Sequence, residues 1–205
     1  MSLFPIFVKL EGRLVVVVGG GNIAGTKIPG VLAAGAQIRV IAPYVKPPID
    51  EWVRFGKIDW LPKEFEAADL HGAFLVIAAT SAPGVNEAVF REAEARGILC
   101  NAVDDIEHCH FYYGAVVQRG DLQIAISTNG KSPALAQRLR TEFESEFGPE
   151  YEGWLQWLGA AREALRASSP SSETSKGLLH ELASRPMFEE FLQQAKRRPG
   201  RQGAA

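Results

Sequence analysis

Cysteine is scarce, with only Cys100 and Cys109 in 205 residues. Two thiols build no disulfide framework, so a reducing cytoplasm is the expected setting. Positive charge is not in excess either: 22 Lys and Arg stand against 24 Asp and Glu, a net charge of −2. That balance excludes a dedicated nucleic-acid binder, which carries a basic stripe. No apolar run is long enough to cross a bilayer, so no membrane partner is expected. Met1 to Leu10 lacks the charged start and long apolar run of a secretory signal. The sequence has no internal repeat. What remains is ordinary globular composition, 46% hydrophobic and 22% charged, in a length that suits one large or two modest domains.

One further absence appears only against the chain's strongest motif. Leu14 to Val18 is apolar, β-branched and without alternation, as a parallel strand buried on both faces reads. Gly19, Gly21 and Ala24 follow as G-x-G-x-x-A: a tight turn, a close backbone approach to a pyrophosphate, and a small residue where helix meets strand. A helix from about Asn22 aims free N–H groups at the phosphates. The missing part is the acidic residue that usually ends the second strand and takes the adenosine ribose. This chain has Ala42, Pro43 and Tyr44 there, so either backbone at Pro43 and Tyr44 holds the ribose or the preference is not simply NAD.

The rest of the first half alternates. Gln37 to Ala42, Lys57 to Leu61, Ala73 to Ala79 and Ile98 to Val103 read as strands, and Lys46 to Phe55 and Asn86 to Arg96 as helices. Pro29 falls inside the first helix, where its early position is expected to be tolerated, and Gly35 ends that helix. Ile6 to Leu10 is either an edge strand or an arm. Five strands alternating with helices predict a doubly wound parallel α/β sheet of Rossmann type. Thr80, at the carboxyl end of the fourth strand, lies on the edge where such sheets bind ligands.

After Asp104 the pattern changes. Phe111 to Gln118 and Leu122 to Ser127 read as a β-hairpin around Arg119-Gly120-Asp121. Ser132 is a good N-cap with Pro133 at N1, and Leu135, Leu139, Phe143 and Phe147 form a helical stripe. Helices continue from Glu150, with a serine-rich break at Ser168 to Ser172 and a disordered tail expected from Lys196. The predicted division is 1–110 for the dinucleotide-binding domain, 111–149 for a dimerisation and substrate region, and 150–205 for a helical domain with its tail.

Gly19-Gly20-Gly21-Asn22-Ile23-Ala24, Lys27, Ala78-Ala79-Thr80, Asn86, Cys100-Asn101-Ala102-Val103-Asp104 and Ile126 to Ala134 occur in one colinear order. Together they resemble the precorrin-2 dehydrogenase and sirohydrochlorin ferrochelatase family of sirohaem synthesis, over roughly Leu3 to Phe147. The resemblance implies NAD as oxidant, precorrin-2 as an anionic tetrapyrrole substrate with sirohydrochlorin as product, and a homodimer. For some members it also implies insertion of ferrous iron. It matches Asp104 to the catalytic aspartate, Gly19, Gly21, Asn22 and Ile23 to the phosphate loop, and Pro43-Tyr44 to the ribose contact. This chain departs from the pattern at Thr26, where many members have Arg, at Gly114, where many have Pro, and at His108-Cys109-His110.

The chemistry that the resemblance implies gives these residues roles. Oxidising a reduced tetrapyrrole moves a hydride to nicotinamide while a proton leaves, and a carboxylate at the end of the fifth strand can accept it. Asp104 is the candidate, with Asp105 a turn residue. Ser127, Thr128, Lys131 and Ser132 form a polar loop suited to substrate carboxylates, with Arg119, Arg138 and Arg140 as further cations; a solvated helix face explains Arg138 and Arg140 equally well. His108 and His110 share a strand face and suit ferrous iron, yet a chelatase must release its metal, so packing or surface placement is expected, with transient iron delivery as the alternative and no resident metal. Trp154 and Trp157 are expected to pack. A reading of another class, a non-catalytic NAD-sensing regulatory domain, needs the glycine loop but not Asp104.

Overall fold

The computed structural model describes residues 3–168 and 173–197. They form two units, Phe4–Tyr113, and Leu3 with the residues from Gly114 on.

In the first unit, β1 (Leu14–Val18), α1 (Asn22–Ala33), β2 (Gln37–Ile41), α2 (Ile49–Arg54), β3 (Asp59–Leu61), β4 (Leu75–Ala78), α3 (Pro83–Ala95) and β5 (Leu99–Ala102) follow in chain order. All five strands are parallel, in the order β3-β2-β1-β4-β5, as the alternating pattern predicts. The unbroken apolar run of β1 has a direct cause. Val15 and Val17 point into one core with Ile28, Val40 and Ile49, while Val16 and Val18 point into the other with Leu70, Val76 and Val89. A strand with a core on each face has no polar side.

Local chemistry moves several element ends. The expected helix over Lys46 to Phe55 contracts to α2 because Pro47 and Pro48 lack donors and the Lys46 amide is spent on the Gly20 carbonyl at 2.8 Å. α3 starts three residues early, at Pro83, which suits a first helical position. Pro29 is the eighth residue of α1, not an early one, so the expected reason for its tolerance is wrong. Burial of Ile28 at 0% and Val31 at 5% exposure holds the helix through the lost bond. Residues 4–10 form no strand and run as an arm, with Phe4, Ile6 and Phe7 exposed.

The second unit starts with the antiparallel hairpin β6 (Ala115–Arg119) and β7 (Leu122–Ile126). Arg119 pairs with Leu122, so the turn is the two residues Gly120-Asp121, one fewer than expected, and Phe111 to Gly114 lie before the first strand. A Cβ on Gly114 would lie 2.8 Å from the Ile126 carbonyl oxygen, which gives the departure at this position a steric basis within this unit. α4 (Pro133–Glu146), α5 (Glu150–Ser168), α6 (Glu173–Leu182) and α7 (Arg185–Arg197) follow. Phe143, Phe147, Tyr151, Trp154 and Phe188 form a chain of ring contacts, so Trp154 packs as expected, and Trp157 lies against Phe191. Lys196 and Arg197 belong to α7 and not to the expected tail. Residues 169–172 of the serine-rich break and 198–205 of the tail lie outside the described residues. Among the described residues, no helix is long and apolar enough to cross a membrane.

Candidate functional site

The carboxyl ends of three adjacent strands define the site in the first unit. Val18, Ala78 and Ala102 stand in one row across β1, β4 and β5, so Gly20, Thr80 and Asp104 each lie two residues beyond it. Two strand spacings, about 10 Å, therefore separate the glycine turn from Asp104 across the sheet.

The glycines divide their work. Gly19 has a φ of +119° and lies so close to β4 that a Cβ would meet the Ala79 carbonyl oxygen at 2.4 Å. A Cβ on Gly20 would lie 2.1 Å from the Tyr44 carbonyl oxygen. These two let β1 turn between its neighbouring strand ends. Gly21 faces open space, with nothing within 4 Å of the same position. It is the N-cap of α1 without a side-chain cap, and no acid lies in the first turn. The amides of Asn22, Ile23 and Ala24 have no acceptor among the described residues. An open glycine face leading into unfilled helix donors fits a pyrophosphate. Thr26 returns its hydroxyl to the Ile23 carbonyl at 2.7 Å.

Two further loops flank the turn. Pro43 and Tyr44 are exposed, Tyr44 by 70%, and no carboxylate ends β2. Thr80 is fixed by a residue whose role sequence reasoning missed. Asn86, 6% exposed on α3, accepts from the Thr80 amide at 3.1 Å and from its hydroxyl at 2.8 Å, and donates to its carbonyl at 3.1 Å. An asparagine on the buried face of the helix after a strand-end threonine was the available signal.

Asp104 is exposed and adopts the left-handed conformation, with φ +63°. Its carboxylate has no hydrogen-bond or ion-pair partner among the described residues. A non-glycine residue held at positive φ on a ligand-binding edge marks a position set by its surroundings. Asp105 faces a different environment: its Oδ2 lies 2.7 Å from His108 Nδ1, and that hydrogen bond holds its carboxyl below the usual range.

His108, Cys109 and His110 run back along β5. The His110 Nδ1 accepts from the Cys100 amide at 3.1 Å, and Cys109 Sγ donates to the carbonyls of Ala102 and Asp105, each at 3.1 Å. Phe90 packs edge-on against the His108 imidazole and stacks on that of His110, with centroids at 5.0 and 4.8 Å. The cluster thus serves local packing. Burial pushes the Cys100 thiol up to about 12 and raises that of Cys109, leaving both thiols protonated near neutrality. Among the described residues, no group of three His, Cys, Asp or Glu could hold a metal.

The polar loop of the second unit is built by its own hydroxyls. Ser127 Oγ accepts from the Asn129 amide at 3.1 Å, Thr128 Oγ1 from Ser132 at 3.2 Å, and Ser132 Oγ from Leu135 at 3.2 Å. Ser132 is the N-cap and Pro133 is N1, as expected. Each hydroxyl has accepted from backbone and keeps its proton to donate outward, which suits an anionic ligand. Lys131 is exposed beside them. Arg119 does not join this loop. Its Nε donates to the Phe147 carbonyl at 2.8 Å and its Nη2 to that of Glu144 at 3.0 Å, which caps the end of α4. Arg138 pairs with Glu142 at 3.3 Å and Arg140 with Glu144 at 2.6 Å, the helix-face alternative.

The sequence profile of the putative NAD(P)-binding family matches residues 6–115, and that of the sirohaem biosynthesis protein central region matches residues 119–146. Siroheme synthase 1 of Serratia proteamaculans is 39% identical over 171 residues, which cover 82% of this chain and 36% of that protein. The siroheme synthase of Photorhabdus laumondii is 43% identical over 145 residues, 71% of this chain and 31% of that protein. The chain thus spans about a third of the length of these relatives. The solved structure of SirC, precorrin-2 dehydrogenase, superposes with a TM-score of 0.76 at 32% identity, covering 96% of this chain and all of that one. With its glycine cradle, its carboxyl-edge aspartate and these relatives, the chain belongs to the precorrin-2 dehydrogenase and siroheme synthase family.

Proposed function

We propose that the protein oxidises precorrin-2 to sirohydrochlorin with NAD. The observation that carries the reading is Asp104, an unpartnered carboxylate held at positive φ on the sheet edge that also bears the open glycine turn. Gly19, Gly21, Asn22 and Ile23 hold the pyrophosphate, Pro43 and Tyr44 the ribose, and Thr80, at the strand end between cradle and carboxylate, also binds the cofactor. When bound, the dinucleotide supplies the hydride acceptor. The oxidation removes one hydride and one proton, and the Asp104 carboxylate takes the proton and releases it to solvent. Ser127, Thr128 and Ser132 donate hydroxyl protons to substrate carboxylates, and Lys131 adds charge.

This reading also carries a reducing cytoplasmic setting, which suits two free cysteines, and a homodimer, which the exposed Val116 on the open-edged hairpin supports. Anaerobic incubation with precorrin-2 and NAD is expected to raise NADH absorbance in step with sirohydrochlorin, and light scattering of the same sample to give twice the chain mass. Folded protein that binds NAD and yields no NADH would support the NAD-sensing alternative instead.

A further inference from the structure

Among the described residues Asp104 makes no side-chain bond, and the backbone and side chains after it hold its turn. The amide of Asp105 donates to the Ala102 carbonyl at 3.2 Å, closing the turn that carries Asp104. The Asp105 side chain is then fixed by His108 at 2.7 Å, a pair left only 34% and 25% exposed. The His108 ring in turn packs edge-on against Phe90 of α3, and the His108 amide donates to the Asp105 carbonyl at 3.3 Å. The left-handed residue is thus clamped from its C-terminal side to a helix of the main layer. Neither Asp105 nor His108 belongs to the cores of the sheet.

We propose that His108 is a positioning residue for the oxidation: through Asp105 and Phe90 it locks the turn that presents the Asp104 carboxylate. The proposal rests on Asp104 being the proton acceptor. His108 acts in its neutral form as well as its charged one, because Nδ1–H donates to Asp105 in both. Displacing a reacting group by a fraction of a strand spacing lowers the rate without loosening cofactor binding.

Two substitutions separate this from a general packing role. His108→Phe keeps a ring for Phe90 and removes the donor to Asp105; His108→Asn removes the ring and places an amide donor near the Nδ1 position. His108→Phe is expected to lower kcat about tenfold or more with an unchanged KM for NAD, and His108→Asn to restore most of that loss. Amide exchange supplies a readout independent of turnover. At Asp105 it should quicken about tenfold in His108→Phe, while Ile77 in β4 keeps its wild-type protection. Wild-type kcat and wild-type Asp105 exchange in His108→Phe would each overturn the proposal, as would equal losses in both variants. A wild-type protein that makes no NADH would count against the dehydrogenase reading, and the exchange measurement would still judge whether His108 holds the turn.

Discussion

Replacing Asp104 with asparagine is expected to lower kcat for precorrin-2 oxidation by about 10²- to 10⁴-fold, the usual contribution of a positioned acid or base. Asparagine is the sharper substitution because the residue sits at φ +63°. Asparagine accepts the left-handed region more readily than most side chains, so the carboxylate is removed with little change in the backbone. Alanine at this position is expected to abolish oxidation as well but adds backbone strain. NAD affinity should stay within about twofold of wild type in Asp104→Asn, because neither the glycine cradle nor the α1 amides are touched; titration followed by tryptophan fluorescence reads this directly. If the same carboxylate also serves ferrous iron insertion, uptake of iron or cobalt into sirohydrochlorin without NAD falls in parallel. A full oxidation rate in Asp104→Asn removes the residue from its role.

The second large effect separates two neighbouring glycines. Gly20→Ala places a methyl group 2.1 Å from the Tyr44 carbonyl oxygen, against backbone that cannot rotate away. Overpacking of this kind costs about 1–3 kcal/mol, so the urea midpoint falls. Gly21→Ala meets nothing within 4 Å and has an ordinary extended backbone, φ −89° and ψ −171°. Its stability should shift by less than about 1 kcal/mol, the scale of an N-cap change. Yet it should weaken NAD at least about tenfold, because the new methyl occupies the face a pyrophosphate must approach. Equal behaviour of the two variants in unfolding and in NAD titration would remove the division of labour between them.

Much of the first unit was legible because its signals are local and redundant. The uninterrupted run of Leu14 to Val18 has one physical explanation, a core on each face, and the glycine pattern after it has few others. The carboxyl-edge position of Asp104 followed from counting strands. Other features depend on partners remote in sequence. Nothing near Arg119 announces that its guanidinium reaches the carbonyls of Glu144 and Phe147, 25 and 28 residues away, so it read as a free cation for substrate. The Asn86 latch on Thr80 spans six residues and a change from strand to helix. His108-Cys109-His110 resembled a metal cluster because spacing alone does not reveal that Cys109 Sγ and His110 Nδ1 are occupied by backbone. Sequence patterns report periodicity well, and they report the partner of a polar side chain poorly.

The Arg119 clasp bears on the polar loop as well as on the helix it caps. Residues 127–132 hang between β7 and the start of α4, and the far end of α4 is tied by Arg119 back to β6, the strand paired with β7. Strand, loop, helix and clasp close a ring. A ring has fewer shapes than an open segment of equal length, so ordering of the loop is largely complete before any anion arrives, and binding is spared that entropy.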